Sequence, residues 1–286
     1  MRIAVCMYGQ YRTFQYCQKY LTEYYKDKST HEFDFFCSLK NYDLGQKDGQ
    51  NKVRSFLNQK KIDRVKKVFD PKILTVIKHE QDEKYDNVNW KMFNGLAEVI
   101  YNKRLYELKN EFEYDLVILQ RYDNIVVPLN SLSDILEYID NHKEKTKHNT
   151  PNVIYHMGMV QSNNELCTEI QDLSMMYTGS ALELIIADFF NYNKLAQKYR
   201  SDCRFNAYPD ENIHSMIYRL GCKNCIEFEK LKLDKFIDPL VVRNGTYIKD
   251  NILLPSTWTK IKNFWIKTEM STFEKITKSK ETNNER

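Results

Sequence analysis

Three short stretches of this chain combine residue types that can do chemistry. Asp115 to Asp123 reads D-L-V-I-L-Q-R-Y-D, a continuous apolar run that ends in a cation and a carboxylate. Side-chain alternation along a strand sends Arg121 and Asp123 to one side and Gln120 and Tyr122 to the other. Gly9-Gln10-Tyr11-Arg12 follows the apolar run from Arg2 to Tyr8, and there a glycine that tolerates positive φ precedes an arginine. Pro209-Asp210-Glu211-Asn212 opens a helical pattern with an acidic first turn, so Glu211 either complements the helix dipole or faces a pocket as a base. Asp172, in I-Q-D-L-S-M-M-Y, is a further carboxylate on a strand or loop.

The elements that would carry these residues alternate. Arg2 to Tyr8 predicts a buried strand, Phe14 to Tyr25 a helix, Glu32 to Ser38 an aromatic-rich strand ending near Lys40, and Ile73 to Ile77 another strand. A short helix is expected near Lys52 to Asn58. From Val88 to Phe112, Phe93, Leu96, Ala97, Ile100, Leu105 and Leu108 recur at helical spacing and predict one apolar face. Leu116 to Leu119 then reads as a strand covered on both sides. This βαβ alternation predicts an α/β fold with a largely parallel sheet flanked by helices. In such sheets ligands bind beyond the carboxyl ends of the strands, which is where Gly9, Arg12, Arg121 and Asp123 fall. A surface ion pair after a core strand and a purely structural glycine turn are the competing readings.

The second half predicts a helix at Leu132 to Ile139, a charged loop from Asn141 to Thr150, and a strand at Val153 to Val160 carrying His156. A helix at Ala181 to Phe190 and a hairpin turning at Asn244-Gly245 follow. The basic amphipathic stretch 257–268 could dock on its own domain or touch a membrane surface peripherally.

Bulk properties narrow the classes. The chain has 286 residues, enough for one large α/β domain. Its 43 Lys+Arg against 39 Asp+Glu leave a net charge of +4 without blocks, so no nucleic-acid partner is expected. Seven scattered cysteines suit a reducing compartment, and the lone Cys222-x-x-Cys225 has no second pair to complete a structural zinc site. No apolar run reaches bilayer length. The expected location is the cytoplasm, or the host cytoplasm for a viral chain.

In order, R-I-A-V-C-M-Y-G-Q-Y-R-T-F, F-D-F-F, Y-D-L-V-I-L-Q-R-Y-D and P-D-E-N-I-H-S-M-I-Y-R-L-G resemble GT-A-fold glycosyltransferases found in viruses and bacteria, over about residues 1 to 221. The resemblance implies a GT-A-like, Rossmann-type fold with a C-terminal α+β acceptor portion. Residues 1–127 would bind a nucleotide-sugar donor, 128–270 would face a glycan or other hydroxyl acceptor, and 271–286 would be a polar tail. It further implies Mn²⁺ or Mg²⁺ at Asp123, with Gly9, Gln10, Arg12 and Arg121 lining the nucleotide and diphosphate and Glu211 or Asp172 as catalytic base. The family's Asp-X-Asp is Arg121-Tyr122-Asp123 here. A single carboxylate completed by phosphate and water can still hold the ion, or Arg12 and Arg121 can neutralise the leaving diphosphate themselves. Loss of Asp123 is expected to abolish transfer and leave the thermal melt nearly unchanged. A catalytically inactive sugar- or nucleotide-binding protein of the same fold is the alternative.

Overall fold

The computed structural model describes residues 1–12, 14–25, 31–47, 50–78, 88–127, 131–145, 152–156, 159–161, 168–170, 175–188, 217, 220–231, 238–241, 246–249 and 252–255. In chain order these form β1 (Arg2–Gly9), α1 (Phe14–Tyr25), β2 (Glu32–Lys40), β3 (Tyr42–Lys47), β4 (Gln50–Phe56), α2 (Gln59–Phe69), β5 (Ile73–Ile77), α3 (Val88–Asn110), β6 (Leu116–Arg121), β7 (Asn124–Val127) and α4 (Ser131–Lys145). There follow β8 (Val153–His156), β9 (Met159–Gln161), β10 (Thr168–Ile170), β11 (Met175–Tyr177), a helical segment 181–188, β12 (Glu227–Lys230), β13 (Asp238–Val241), β14 (Thr246–Lys249) and β15 (Ile252–Pro255).

Seven strands make the central sheet, in the order β12-β8-β11-β6-β1-β2-β5. β5, β2, β1 and β6 are mutually parallel, β11 runs antiparallel to both β6 and β8, and β12 is parallel to β8. The sheet is thus mostly parallel with one reversed strand. Strand alternation sorts its side chains cleanly. Ile3, Val5, Met7, Leu116 and Ile118 join the aromatic face of α1 (Phe14, Tyr20, Leu21, Tyr24), Val65 and Phe69 of α2, and Leu132, Ile135, Leu136 and Ile139 of α4. Ala4, Cys6, Tyr8, Val117 and Leu119 face the other way, toward Leu96, Val99 and Ile100 of α3 and Ala181, Leu182 and Ile185 of the 181–188 segment. The chain steps from β1 outward to β2 and β5 with α1 and α2 on one face, then returns past β1 to β6 with α3 on the opposite face. Reversing direction while keeping the handedness of the crossover demands that change of face.

The predicted strands and helices of the first half match, with two corrections. Residues 52–58 are not a short helix: β4 pairs antiparallel with β3, with Lys47 opposite Gln50. The helix begins only at Gln59, capped by the Asn58 side chain, which accepts from the Lys61 N–H at 3.0 Å. The predicted face of α3 also fails toward its C-terminus. Leu105 and Leu108 are 42% and 61% exposed, while Lys103 and Glu107 are buried. Lys103 Nζ donates to Glu107 and to Glu183 of the 181–188 segment, so a specific long-range ion cluster overrides the apolar period.

In the second half α4 runs on through Lys145, which puts residues 141–145 on a helix instead of in a loop. The strand expected at Val153 to Val160 is divided into β8 and β9, with His156 buried at the end of β8. The turn expected at Asn244-Gly245 lies outside the described residues; of the strands on either side of it, β13 pairs with β7 and β14 with β15. No helix among the described residues is long and apolar enough to cross a membrane. The amphipathic stretch 257–268 lies outside the described residues.

Candidate functional site

Parallel pairing fixes what meets at the carboxyl ends of the strands. β1 and β6 align so that Tyr8 lies beside Arg121, and β1 and β2 so that Gly9 lies beside Leu39. The chain leaves β1 for β2 on one side and is joined by β6 on the other, so the point where open α/β sheets form a ligand crevice falls between the loops that follow β1 and β6. Gly9, Gln10 and Arg12 enter it from the first loop, and Arg121 and Asp123 from the second.

Backbone conformation shapes the first loop. Gly9 has φ 112°, where a β-carbon is strained although nothing lies near enough to obstruct it, so the glycine is there for its dihedral. Arg12 has φ 36°, an uncommon conformation for a residue with a side chain. Strained backbone of this kind persists where surrounding contacts over-determine it. Here those contacts are polar. Arg12 Nε donates to Gln10 Oε1 at 2.8 Å, and Arg12 Nη1 donates to Asp123 Oδ2 at 3.0 Å, which ties the loop after β1 to the loop after β6.

The second loop is equally fixed. Gln120, buried on the α1 face, accepts from Tyr25 Oη at 3.0 Å and donates to the carbonyls of Arg121 and Asn124 at 2.9 and 3.0 Å. These bonds clamp the Tyr122-Asp123 turn. Tyr122 is sealed beneath it with its ring edge-on to Phe14 at 5.6 Å. The anchored turn presents Asp123 to two guanidiniums. Arg121 Nε donates to Oδ1 and Arg121 Nη2 to Oδ2, each at 2.9 Å, a bidentate pair completed by Arg12.

Asp123 is only 2% exposed. Burial alone would raise its carboxyl, but the charges and hydrogen bonds of Arg121 and Arg12 outweigh burial and hold it below the ordinary carboxylate range. The trio carries one net positive charge. Lys40, buried at the end of β2, adds another at the same end of the sheet. Gly95 of α3 lies against both: a β-carbon there would stand 3.8 Å from Lys40 Cε and 3.9 Å from Gly9 N. From the sequence Lys40 is expected only at the end of a strand. A lysine closing the apolar strand E-F-D-F-F-C-S-L-K was the available signal.

The donor set at Asp123 does not fit a divalent ion. Both of its oxygens already accept guanidinium N–H groups, and hard cations of the Mg²⁺ and Mn²⁺ class take about six oxygen ligands. The arrangement does fit an anion, since oriented guanidiniums recognise phosphate oxygens in pairs. It also bears on stability. Asp123 compensates two cations, so its removal should weaken the fold, contrary to the expectation of an unchanged melt. Of the remaining site residues, Glu211 and Asp172 lie outside the described residues.

No known family profile matches the chain, and no curated protein matches it. Among solved structures it is similar to a nucleoside-diphosphate-sugar pyrophosphorylase from Vibrio cholerae RC9, at 10% identity and a TM-score of 0.38, covering 82% of this chain and 93% of that one. At that level of likeness the reaction has to be argued from the site.

Proposed function

We propose that the crevice between the β1 and β6 loops binds the diphosphate of a nucleotide-sugar donor, and that the protein is a glycosyltransferase passing the sugar to an acceptor hydroxyl. The observation that supports this reading is the gathering of cations at the switch point of the sheet: Arg12 and Arg121 oriented by the buried Asp123, with Lys40 at the same end of the neighbouring strand β2. Glycosyl transfer from such a donor develops negative charge on the departing diphosphate, and pre-oriented guanidiniums stabilise it without reorganising. Gly9, Gln10 and Arg12 line the nucleotide side. Asp123 acts as the residue that orients the two arginines, and Mn²⁺ or Mg²⁺ is not required at it. Residues 128–270 would supply the acceptor side, where Glu211 or Asp172 would take the proton of the attacking hydroxyl.

The same occupied carboxylate favours one other reading, a protein of this fold that binds a donor without turning it over. A thermal-shift screen with UDP-, GDP-, dTDP- and CMP-sugars, run in EDTA and again in Mn²⁺, tests both. A donor at a hundred times its Kd stabilises the native state by about 2.7 kcal/mol. The proposal expects diphosphate donors to raise the melting temperature in EDTA and the monophosphate CMP-sugar to do so less. Binding followed by sugar release to an acceptor supports the enzyme, and binding without release supports the silent protein. No stabilisation by any donor would overturn both.

A further inference from the structure

Three strands away from the β1–β6 crevice, the β12 edge of the sheet carries a second polar cluster. His142 lies in the last turn of α4, and Glu227 and Glu229 lie two residues apart on β12, hence on one face of that strand. His142 Nε2 is 3.9 Å from Glu227 Oε1 and 3.9 Å from Glu229 Oε2, and one ligand atom from each of the three side chains lies within 4.8 Å of the others. We infer that His142, Glu227 and Glu229 form a binding site for a divalent transition-metal ion of the zinc class, separate from the donor crevice.

Charge is the first argument. Glu227 and Glu229 bring two carboxylates to one face of a partly buried strand, where like charges repel and a divalent ion between them relieves the repulsion. Ligand chemistry is the second argument, because one imidazole nitrogen and two carboxylate oxygens form a set that zinc accepts, with water as a fourth ligand. A tetrahedral ion with bonds of roughly 2.1 Å separates its ligands by about 3.4 Å, so closing from 3.9 Å needs only small side-chain rotations.

The surrounding groups supply the third argument. His142 Nδ1 lies 3.1 Å from the Tyr155 hydroxyl, with the two rings edge-to-face. With the Nδ1 proton directed at that oxygen, the Nε2 lone pair is turned toward the carboxylates, the usual outer arrangement of a metal-bound histidine. Tyr138, one helical turn before His142 and parallel to its ring, donates its hydroxyl to Glu229 Oε1 and fixes that carboxylate. β8 brings Tyr155 into register with Glu229, so fold and cluster are set by the same pairing. An ion here would fasten the end of α4 to β12, the outermost strand of the sheet among the described residues.

The 286-residue chain with Cys222→Ser and Cys225→Ser is the protein to use, because among the described residues those two exposed thiols are competing zinc ligands. Titration of that protein with Zn²⁺ against a chromophoric chelator, without nucleotide, should give one equivalent bound, and Co²⁺ should give the visible absorption of a four-coordinate site. His142→Ala should lower affinity by more than 100-fold, and Tyr155→Phe, which removes only the group behind Nδ1, by roughly 10- to 100-fold. Glu227→Gln, at the most exposed of the three ligands, carries the same test should His142→Ala fail to fold. Zinc binding that disappears with the two thiols would overturn the inference. So would an affinity indifferent to both His142→Ala and Glu227→Gln.

Discussion

Two buried ion clusters in this fold have inverse compositions. Under α3, one lysine meets two acids: Lys103 Nζ contacts Glu107 and Glu183, and it is almost wholly buried. At the ends of β1 and β6, one acid meets two cations, Arg12 and Arg121 on Asp123. The acid-rich cluster is closed by its own neighbours. Arg104 adds a second cation on Glu107 at 3.2 Å, the Tyr114 N–H donates to Glu107 Oε1 at 3.1 Å, and Tyr177 Oη donates to Glu183 at 3.2 Å. It joins α3 to the 181–188 segment, and its unsatisfied atom, Glu183 Oε2, is sealed from solvent. The cation-rich cluster lies at the carboxyl ends of the strands, with the Arg12 side chain 28% exposed and so within reach of an incoming anion. Burial of charge therefore does not mark a site by itself. The sign of the excess and the position along the strand separate architecture from binding.

The largest effect should come from the closed cluster. Lys103→Met strands two carboxylates in a low-dielectric interior and should destabilise the protein by about 3–5 kcal/mol in denaturant unfolding. Donor affinity, measured where the variant is still folded, should not change. A stable Lys103→Met would mean that the cluster is not the weld described here.

Asp123→Ala should cost less, on the order of 2 kcal/mol, because the two arginines it releases can turn toward water and a fully buried pair costs more. It should also weaken diphosphate binding by freeing both guanidiniums from their geometry. Tighter binding in that variant would show that Asp123 competes with the ligand instead of orienting its partners.

The clusters should also divide by pH. The Asp123 carboxyl is held below its unfolded value of about 3.9, so its contribution is intact above that value and is lost as pH falls through the depressed folded value. For Lys103, burial alone would lower the ammonium, but Glu183 and Glu107 outweigh burial and raise it. Its contribution is complete below the unfolded value of about 10.4 and is lost only as pH rises through the raised one. Unfolding curves of Asp123→Asn and wild type should therefore converge below about pH 4, and those of Lys103→Met and wild type at strongly alkaline pH. The opposite assignment of acid and alkaline arms would break the comparison.

Much of this arrangement was legible in sequence because local rules set it. A continuous apolar run followed by Gln-Arg-Tyr-Asp gave β6 and the residues at its end, and the glycine after Tyr8 gave the loop of positive φ. Asp48-Gly49 is a hairpin signal in the sequence, but the strands beside it, Y-D-L-G-Q-K and Q-N-K-V-R-S-F, lack the apolar alternation that would mark them as strands. Lys103 and Glu107 could not be read from periodicity. Their burial depends on Glu183, 80 residues further along the chain from Lys103, and nothing local announces that partner. The reversed strand β11 is hidden for a similar reason, since three residues, Met-Met-Tyr, carry no directional information. The Arg12–Asp123 contact joins positions 111 residues apart, and only the parallel register of β1 and β6 makes it necessary.

The central claim is that the cation-rich crevice holds a diphosphate. Calorimetric titration of wild type and Arg121→Gln with the cognate nucleoside diphosphate and with the bare nucleoside, in EDTA, tests it most directly. A charge-assisted hydrogen bond contributes about 1.5–3 kcal/mol, so the substitution should weaken diphosphate binding by roughly 10- to 100-fold and leave nucleoside binding unchanged. Equal diphosphate affinity in the two proteins, or diphosphate binding that appears only when a divalent ion is added, would contradict it.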